Sequence, residues 1–307
     1  MKLYTIISTF NPDERFITQL ESIFYSATSF GVEMNVIIRD DGSTSQTSLE
    51  LLRNIRFNRV YIHYCQNVGL PGAFFEAMKL IPKDGDYYFF ADQDDVWLES
   101  KVERTISSLE KSQEDISLYV SKTELVDDNL NKLGESRNLP NQVTYRHSIV
   151  ANVATGCTMC ANRSLFLLVC SNIPNYNKIH MHDWWFYIVA SFLGNVIIDN
   201  TPTVMYRQHS KNAVGMKGTI ISRLKVRVLR VLNSDSKYTK IKSQALELLN
   251  IYKEHLSGSQ KILLTSVASI NQGVIKRFRF VMSSNVKANS RIDSFIIKVL
   301  ILFGLIK

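Results

Sequence analysis

The first hundred positions alternate between short apolar runs and segments whose apolar residues recur every three or four positions. Leu3–Ser8, Asn35–Ile38, Val60–Tyr64 and Tyr87–Ala91 are compact runs rich in β-forming residues, the pattern of strands buried on both faces. Between them, Arg15–Ser29 places Phe16, Leu20, Ile23 and Phe24 on one side. Ser45–Asn54, Gly72–Leu80 and Ser100–Leu109 carry the same helical spacing. Strands alternating with helices predict parallel βαβ units and a doubly wound sheet, with the loops after the strands gathered on one rim. Those loops are Thr9-Phe10-Asn11-Pro12, Arg39-Asp40-Asp41-Gly42-Ser43-Thr44, Gln66-Asn67-Val68-Gly69 and Asp92-Gln93-Asp94-Asp95. All four are polar, the outline of a nucleotide-type site.

The pattern then loosens. Ile116–Val126 reads as a strand closed by a turn at Asp127-Asp128-Asn129, and Asn131–Thr144 as an irregular or hairpin region. A small, apolar stretch, Ala154–Ala161, precedes a helix over Asn162–Cys170 with Asn162 or Ser164 as its cap. His182-Asp183-Trp184-Trp185 opens a helix reaching Leu193, and Asn195–Asp199 and Thr203–Arg207 read as two late strands. After Met216 the character changes. Ile221, Leu224, Val228 and Val231 fall at helical spacing beside a basic stripe of Arg223, Arg227 and Arg230, with Lys225 nearby. A second helix covers Lys240–Leu256, and Lys276-Arg277-Phe278-Arg279-Phe280 precedes an apolar terminal segment. We therefore expect a domain over residues 1–216 and a basic amphipathic helical tail over residues 217–307. Such helices suit a membrane surface; the alternative is a helical cap whose charges are merely solvated.

Composition narrows this picture. The 307 residues allow one large domain or a domain with an appendage, and no repeat or low-complexity tract is visible. Leu3–Ser8 is too short for a signal-peptide core and runs into a polar turn. No run reaches the roughly 18 apolar residues of a membrane span; the nearest, Phe295–Ile306, is shorter and carries Lys298. Cys157-Thr158-Met159-Cys160 has the spacing of a zinc or redox pair but lacks a second pair, so Cys65, Cys157, Cys160 and Cys170 read as reduced thiols. The net charge of +8 is unevenly spread: residues 1–216 carry 19 basic and 24 acidic residues, residues 217–307 carry 17 and 4. A tail of that kind seeks an anionic partner, phospholipid or nucleic acid.

Chemistry concentrates where the aromatic run Tyr87–Phe90 stops at Asp92, Asp94 and Asp95, followed by Trp97. Clustered carboxylates repel one another, and burial sharpens the repulsion. A divalent cation with oxygen ligands is the natural counter-charge; the plainer reading is an acidic turn in which Asp95 caps the next helix. Asp40-Asp41-Gly42-Ser43-Thr44 offers carboxylates to a base or ribose and a tight turn at Gly42, although Asp-Gly-Ser is also a common turn.

Taken together, Ile7-Ser8-Thr9-Phe10-Asn11-Pro12, Asp40-Asp41-Gly42-Ser43-Thr44, Asn67-Val68-Gly69 and the Asp-X-Asp element Asp92-Gln93-Asp94 resemble the inverting family-2 glycosyltransferases of the GT-A fold, over roughly residues 1–215. Phe90-Ala91-Asp92-Gln93-Asp94-Asp95-Val96-Trp97, His182-Asp183-Trp184-Trp185 and Tyr206-Arg207-Gln208-His209 look specifically like bacterial rhamnosyltransferases of that family. The resemblance implies a GT-A, Rossmann-like α/β fold with a doubly wound, mostly parallel sheet and a C-terminal basic helical appendage. It implies donor contacts from Thr9, Phe10, Asn11, Asp41, Asn67, Gly69, Asp92, Gln93 and Arg207, with Asp41 on the base, Asp92 on the ribose and Arg207 on the diphosphate. Asp94 and His209 would hold Mn²⁺ or Mg²⁺. Asp183 would be the catalytic base, although His182 stands where the family usually has a glutamate. Asp95, Trp97, Gly156, Trp184 and Trp185 would face the acceptor; helix capping explains Asp95 and Asp183 as well, and packing explains Gly156 and the tryptophans.

The resemblance further implies transfer of L-rhamnose from dTDP-β-L-rhamnose to a lipid-linked cell-wall, capsule or O-antigen glycan, by an enzyme at the inner, cytoplasmic face of the membrane. UDP-galactofuranose, UDP-glucose, UDP-galactose and UDP-N-acetylhexosamine are the alternative donors. A nucleotidyltransferase would need a Gly-rich basic loop at the first strand, which Thr9-Phe10-Asn11-Pro12 is not. A nucleic-acid-binding protein would need stacking aromatics or a motif that the basic tail lacks, so no nucleic-acid partner is expected.

Overall fold

The computed structural model describes residues 1–208, 240–270, 272–283 and 291–304. They fall into two compact units. The first takes in residues 1–141 and 154–173 and runs from 194 through 210; the second comprises 142–153, 174–193 and 211–307. The boundary expected at 216 lies outside the described residues, as do His209 and the stripe expected over 221–231.

The first unit is a sheet flanked by helices. Strands β1 (Leu3–Thr9), β2 (Met34–Asp40), β3 (Val60–Tyr64) and β4 (Tyr87–Ala91) are the four apolar runs of the sequence, and helices α1 (Arg15–Ser29), α2 (Gln46–Asn54) and α3 (Gly72–Leu80) follow the first three. The strands pair in parallel in the order β3-β2-β1-β4. Burial explains the continuous apolar runs: β1 and β4 are covered almost along their whole length, whereas the edge strand β3 exposes Tyr61 and Tyr64. Phe16, Leu20, Ile23 and Ala27 recur at helical spacing and form the buried face of α1. Ser45 caps α2 by accepting from the Ser48 amide.

Beyond β4 the sheet continues β8-β6-β9-β5. Here β5 is Val96–Trp97, β6 Ser117–Val126, β8 Cys160–Asn162 and β9 Asn195–Arg207, while β7 (Lys132–Glu135) pairs with β6. β6 and β9 form a long parallel ladder, and β5, β7 and β8 add short antiparallel pairings. This is the expected α/β class with a mostly parallel sheet. Two details differ from the sequence reading. The late strands expected as two are one, β9, whose register against β6 shifts near Pro202; a bulge accommodates the residue that cannot donate to the ladder. The two-residue β5 and three-residue β8 have too little length to leave a periodicity. Helix α4 (Lys101–Glu110) lies after β5, and Asn162 caps the helix Arg163–Ser171 through the Leu165 amide.

The second unit is helical. It contains α5 (Tyr145–Ser148), α7 (His182–Leu193, the Arg163–Ser171 helix being α6), α8 (Ile241–Tyr252), α9 (Gly258–Ala268), α10 (Val274–Ser283) and α11 (Arg291–Leu302). α7 is apolar on nearly every side and is buried accordingly. Glu247 of α8 is buried and accepts from Lys178 Nζ at 2.9 Å and from the Asn175 amide at 2.9 Å. Ser257 and Gln260 form a capping box at the start of α9. No described helix is long and apolar enough to cross a membrane.

Phe89 of β4 is fully buried against Trp97, with ring centroids 5.4 Å apart. Phe89→Ala removes that contact and leaves a void, so we expect a loss of about 3–5 kcal/mol in urea unfolding with an unchanged m-value.

Candidate functional site

The carboxyl ends of β1, β2, β3 and β4 meet on one rim, and side-chain hydrogen bonds stitch their loops together. Asn11, at a φ of 48°, accepts from the Thr44 and Ser45 amides at 2.9 Å each and donates its own amide to Ser43 Oγ at 2.8 Å. Thr9 Oγ1 reaches Asp40 Oδ1 at 3.4 Å, and Asp40 Oδ2 accepts from the Ser43 amide at 3.1 Å. The loops after β1 and β2 therefore behave as one piece.

Asp41 ties in the third loop. It is buried, and its carboxylate accepts from the Arg39 guanidinium, the Val68 amide at 3.0 Å and the Gly69 amide at 2.8 Å. Asn67 Nδ2 donates to the Asp41 carbonyl at 2.7 Å, and Arg39 donates also to the Gln66 carbonyl at 2.8 Å. Gly42 makes the approach possible. Its φ is +76°, and a Cβ there would sit 2.8 Å from the Asn67 nitrogen. Asp41, expected to bind a base, is thus already engaged within the protein, while Asn67 and Gly69 are its partners. Arg39 was not anticipated as part of the site. Its signal was a basic residue directly after the apolar run and beside Asp40 and Asp41, where a buried guanidinium must be paired.

Gln93 joins the fourth loop to the first: Phe10 donates its amide to Gln93 Oε1 at 2.9 Å, and Gln93 Nε2 donates back to the Phe10 carbonyl at 3.4 Å. The Phe10 ring itself is 47% exposed at this rim. A cleft of about 760 Å³ is lined by Asn11, Asp13, Arg15, Ser45 and Leu51, among others. Arg15 pairs with Asp13 and Asp128 there, and its hydrogen bonds hold the Asp13 carboxyl below the usual range.

The acidic loop divides by burial. Asp92 and Asp94 are half-buried, and Asp95 is buried. Arg207 closes the loop from β9: its amide donates to Asp95 Oδ1 at 3.2 Å, its Nε to the Asp94 carbonyl at 2.7 Å and its Nη1 to the Asp128 carbonyl. The Arg207 side chain, expected on a diphosphate, is spent on backbone carbonyls and is itself buried. Asp92, Asp95 and Cys157 bring one potential ligand atom each within 4.8 Å of one another. Asp95 Oδ2 has no conventional donor; the weakly donating Cys157 thiol faces it. Burial first, then the charges of Asp92 and Asp94, push the Asp95 carboxyl well above its ordinary range. Burial, then Asp95 and Asp92, likewise push the Cys157 thiol up. An orphaned buried carboxylate oxygen beside a second carboxylate fits a divalent cation, and the thiol makes the donor set softer than one of oxygen alone. The ion was expected on Asp94 and His209. Asp94 does not belong to this group of atoms, and His209 lies outside the described residues. Lys101 approaches the same region fully buried; it donates to the Thr158 carbonyl at 3.2 Å, sits 4.8 Å over the Trp97 ring, and is pushed down to about 8 by burial.

In the second unit, Asp183 stands in the first turn of α7. Asn152 Nδ2 donates to its Oδ2 at 3.1 Å, and the Trp184 amide donates to its Oδ1. Burial raises the Asp183 carboxyl to about 6 despite those two hydrogen bonds. Burial also drives His182 down to about 3, so that imidazole is neutral. The expected acceptor platforms need correction. Trp97 in the first unit and Trp184 and Trp185 in the second are all buried, and Trp184 Nε1 donates to the Ser148 carbonyl at 2.7 Å. A covered indole face offers a sugar nothing to stack on. Gly156 lies half-buried in a short 3₁₀ turn of the first unit.

Comparison with known proteins bears on this arrangement. The model of the family "Glycosyl transferase family 2" matches residues 4–168. A curated relative, "dTDP-rhamnosyl transferase RfbG" of Shigella flexneri, is 26% identical over 227 residues, which span 68% of this chain and 73% of that protein. Among solved structures, S. aureus TarS 1-349 aligns with a TM-score of 0.57 at 16% identity, covering 100% of this chain and 81% of the other. The same protein in complex with UDP-GlcNAc aligns with a TM-score of 0.57 at 17% identity, covering 98% and 82%. At these identities the TarS structures establish a shared fold.

The Arg39–Asp41 pair yields a prediction. Arg39→Met leaves a buried carboxylate without its guanidinium, and we expect a loss of about 3–5 kcal/mol in chemical unfolding. Arg59→Met, which breaks the exposed pair with Glu33, should cost less than about 1 kcal/mol.

Proposed function

The chain belongs to glycosyl transferase family 2, and from that premise we propose that it is an inverting, metal-dependent transferase moving L-rhamnose from dTDP-β-L-rhamnose to a lipid-linked cell-wall, capsule or O-antigen glycan. Family membership replaces the nucleotidyltransferase and nucleic-acid-binding alternatives. The observation that carries the donor reading is the joining of the Asp92–Asp95 loop to the β1 loop through Gln93. It sets a carboxylate cluster next to the exposed Phe10 ring and the rigid Asn11–Ser45 turn, which suits a nucleotide with its diphosphate toward the acidic end. The rhamnosyl reading is supported by the RfbG relative. A UDP-sugar is the second reading, favoured by the binding of UDP-GlcNAc by the TarS neighbour.

In this proposal Thr9, Phe10 and Asn11 line the base pocket, and Asn67 and Gly69 border the nucleotide. Asp41 acts on the base side chiefly by holding that loop in place. Asp92 and Asp95 are the carboxylates that would hold Mn²⁺ or Mg²⁺, the Cys157 thiol being too soft for either ion, and Asp94 and His209 are the further ligands that the family resemblance implies. The ion supplies Lewis-acid neutralisation of the charge that builds on the departing diphosphate. Arg207 fixes the acidic loop from behind and adds positive potential. Asp183 takes the proton of the acceptor hydroxyl as that oxygen attacks the anomeric carbon from the face opposite the leaving group. One displacement inverts the configuration, and no covalent glycosyl-enzyme is formed.

A donor screen tests the reading. The melting temperature should rise with dTDP-β-L-rhamnose plus Mn²⁺, and the rise should vanish with chelator and in Asp92→Asn. A larger rise with a UDP-sugar would overturn the rhamnose assignment and leave the family intact; an undiminished rise in chelator would remove the metal.

The base has its own signature. A carboxylate works as a base only when ionised, so turnover should fall as pH drops through about 6. Asn152 donates to the ionised form, hence Asn152→Ala should raise that pKa and move the acidic limb to higher pH. Asp183→Asn should keep donor binding and lose about 10²–10⁴-fold in kcat.

A further inference from the structure

Helix α10 presents an apolar stripe to solvent. Val274, Ile275, Phe278 and Met282 are 69%, 70%, 57% and 70% exposed. At 100° per residue, Val274, Phe278 and Met282 climb one side of the helix, and Ile275 broadens it to an arc of about 100°. Phe280 lies on the opposite side and is buried. Arg277, also off the stripe, reaches the Leu302 carbonyl of α11 at 3.4 Å. The helix is therefore packed by its back, and its most apolar arc is the one left uncovered. A soluble helix ordinarily has the reverse arrangement.

The surroundings are basic. Arg279 is exposed on α10 beside the stripe, and Lys276 is exposed on the flank beyond it. From residue 258 onward the chain carries eight basic residues and a single acidic one, Asp293. On α11, Phe295 is exposed while Ile296, Ile297 and Leu300 are buried, and Phe303 just beyond the helix is exposed too. We propose that the Val274/Ile275/Phe278/Met282 face of α10, with Arg279 at its border and Lys276 on the flank beyond, is a docking face for an anionic lipid bilayer.

Charge selects this occupant over the others. Two copies of the chain meeting through this face would bring like charges together, whereas phosphate headgroups neutralise them. A nucleic-acid backbone would use the bases but leave four large apolar side chains in water. At a bilayer the apolar arc enters the boundary between headgroups and acyl chains, and the bases stay at the phosphates. The inference does not depend on the donor, the metal or the transferase chemistry.

The test uses the full chain and co-sedimentation with vesicles of phosphatidylcholine, with and without about one-third phosphatidylglycerol. We expect binding to the anionic vesicles, weakened by salt, and little to phosphatidylcholine alone. Ile275→Asp with Phe278→Asp should lower the partition coefficient at least tenfold without changing the melting temperature, since both side chains are exposed. Lys276→Gln with Arg279→Gln should remove most of the preference for anionic lipid, at about fivefold per charge. Unchanged binding of the Ile275/Phe278 variant would overturn the proposal. So would a dimer that this variant converts to monomer in sedimentation velocity while vesicle binding persists, because that outcome gives the face to a second copy.

Discussion

The rim of the first unit depends on one ion pair held out of water. Arg39 and Asp41 are both buried, and neither would be tolerated alone. The pair does more than cancel charge. Asp41 uses the rest of its carboxylate on two consecutive backbone amides, Val68 and Gly69, and Arg39 uses its second nitrogen on the Gln66 carbonyl. A loop with no regular structure thereby acquires three fixed points, all anchored to the end of β2. Gly42 is the geometric condition for this, because any side chain there meets Asn67. The first and fourth loops are then fixed by Asn11 and Gln93, amide side chains that offer donors and acceptors without adding charge. Rigidity at a site made of loops comes from these four residues rather than from secondary structure.

The elements that position this rim were legible in the sequence for a simple reason. Strands β1, β2 and β4 are covered on both faces and the helices between the strands on one, so burial writes an unbroken run or a repeat of three to four directly into the chain. Asn162 was readable as a cap because its side chain must serve an amide three residues on. The partners of the loops were not readable. That Asp41 meets the amides of Val68 and Gly69 depends on the packing of β2 against β3, and nothing local announces it. β5 and β8 were invisible because two or three residues carry no period. The tryptophans misled for the opposite reason: beside Asp95 or Asp183 an indole reads as a binding platform, but α7 is apolar nearly all round and needs Trp184 and Trp185 in its core. Asn152 escaped notice because an asparagine thirty-one residues from its carboxylate has no spacing signature.

The electrostatics of the acidic loop lead one step further. Three carboxylates within four residues require compensation, and the chain places Arg207 and Lys101 near them. Both are committed elsewhere. The guanidinium of Arg207 donates to the Asp94 and Asp128 carbonyls, which fixes the fold of the loop, and only its backbone amide meets the Asp95 carboxylate. Lys101 spends its ammonium on the Thr158 carbonyl and the Trp97 ring, and burial erodes its charge toward neutral pH. Burial, together with the charges of Asp92 and Asp94, therefore holds the Asp95 carboxyl well above its ordinary range. A divalent ion held by Asp92 and Asp95 would offset that repulsion, and binding it would favour the ionised carboxylates. The burial that makes the carboxylate cluster costly in the fold is thus what would favour a cation there.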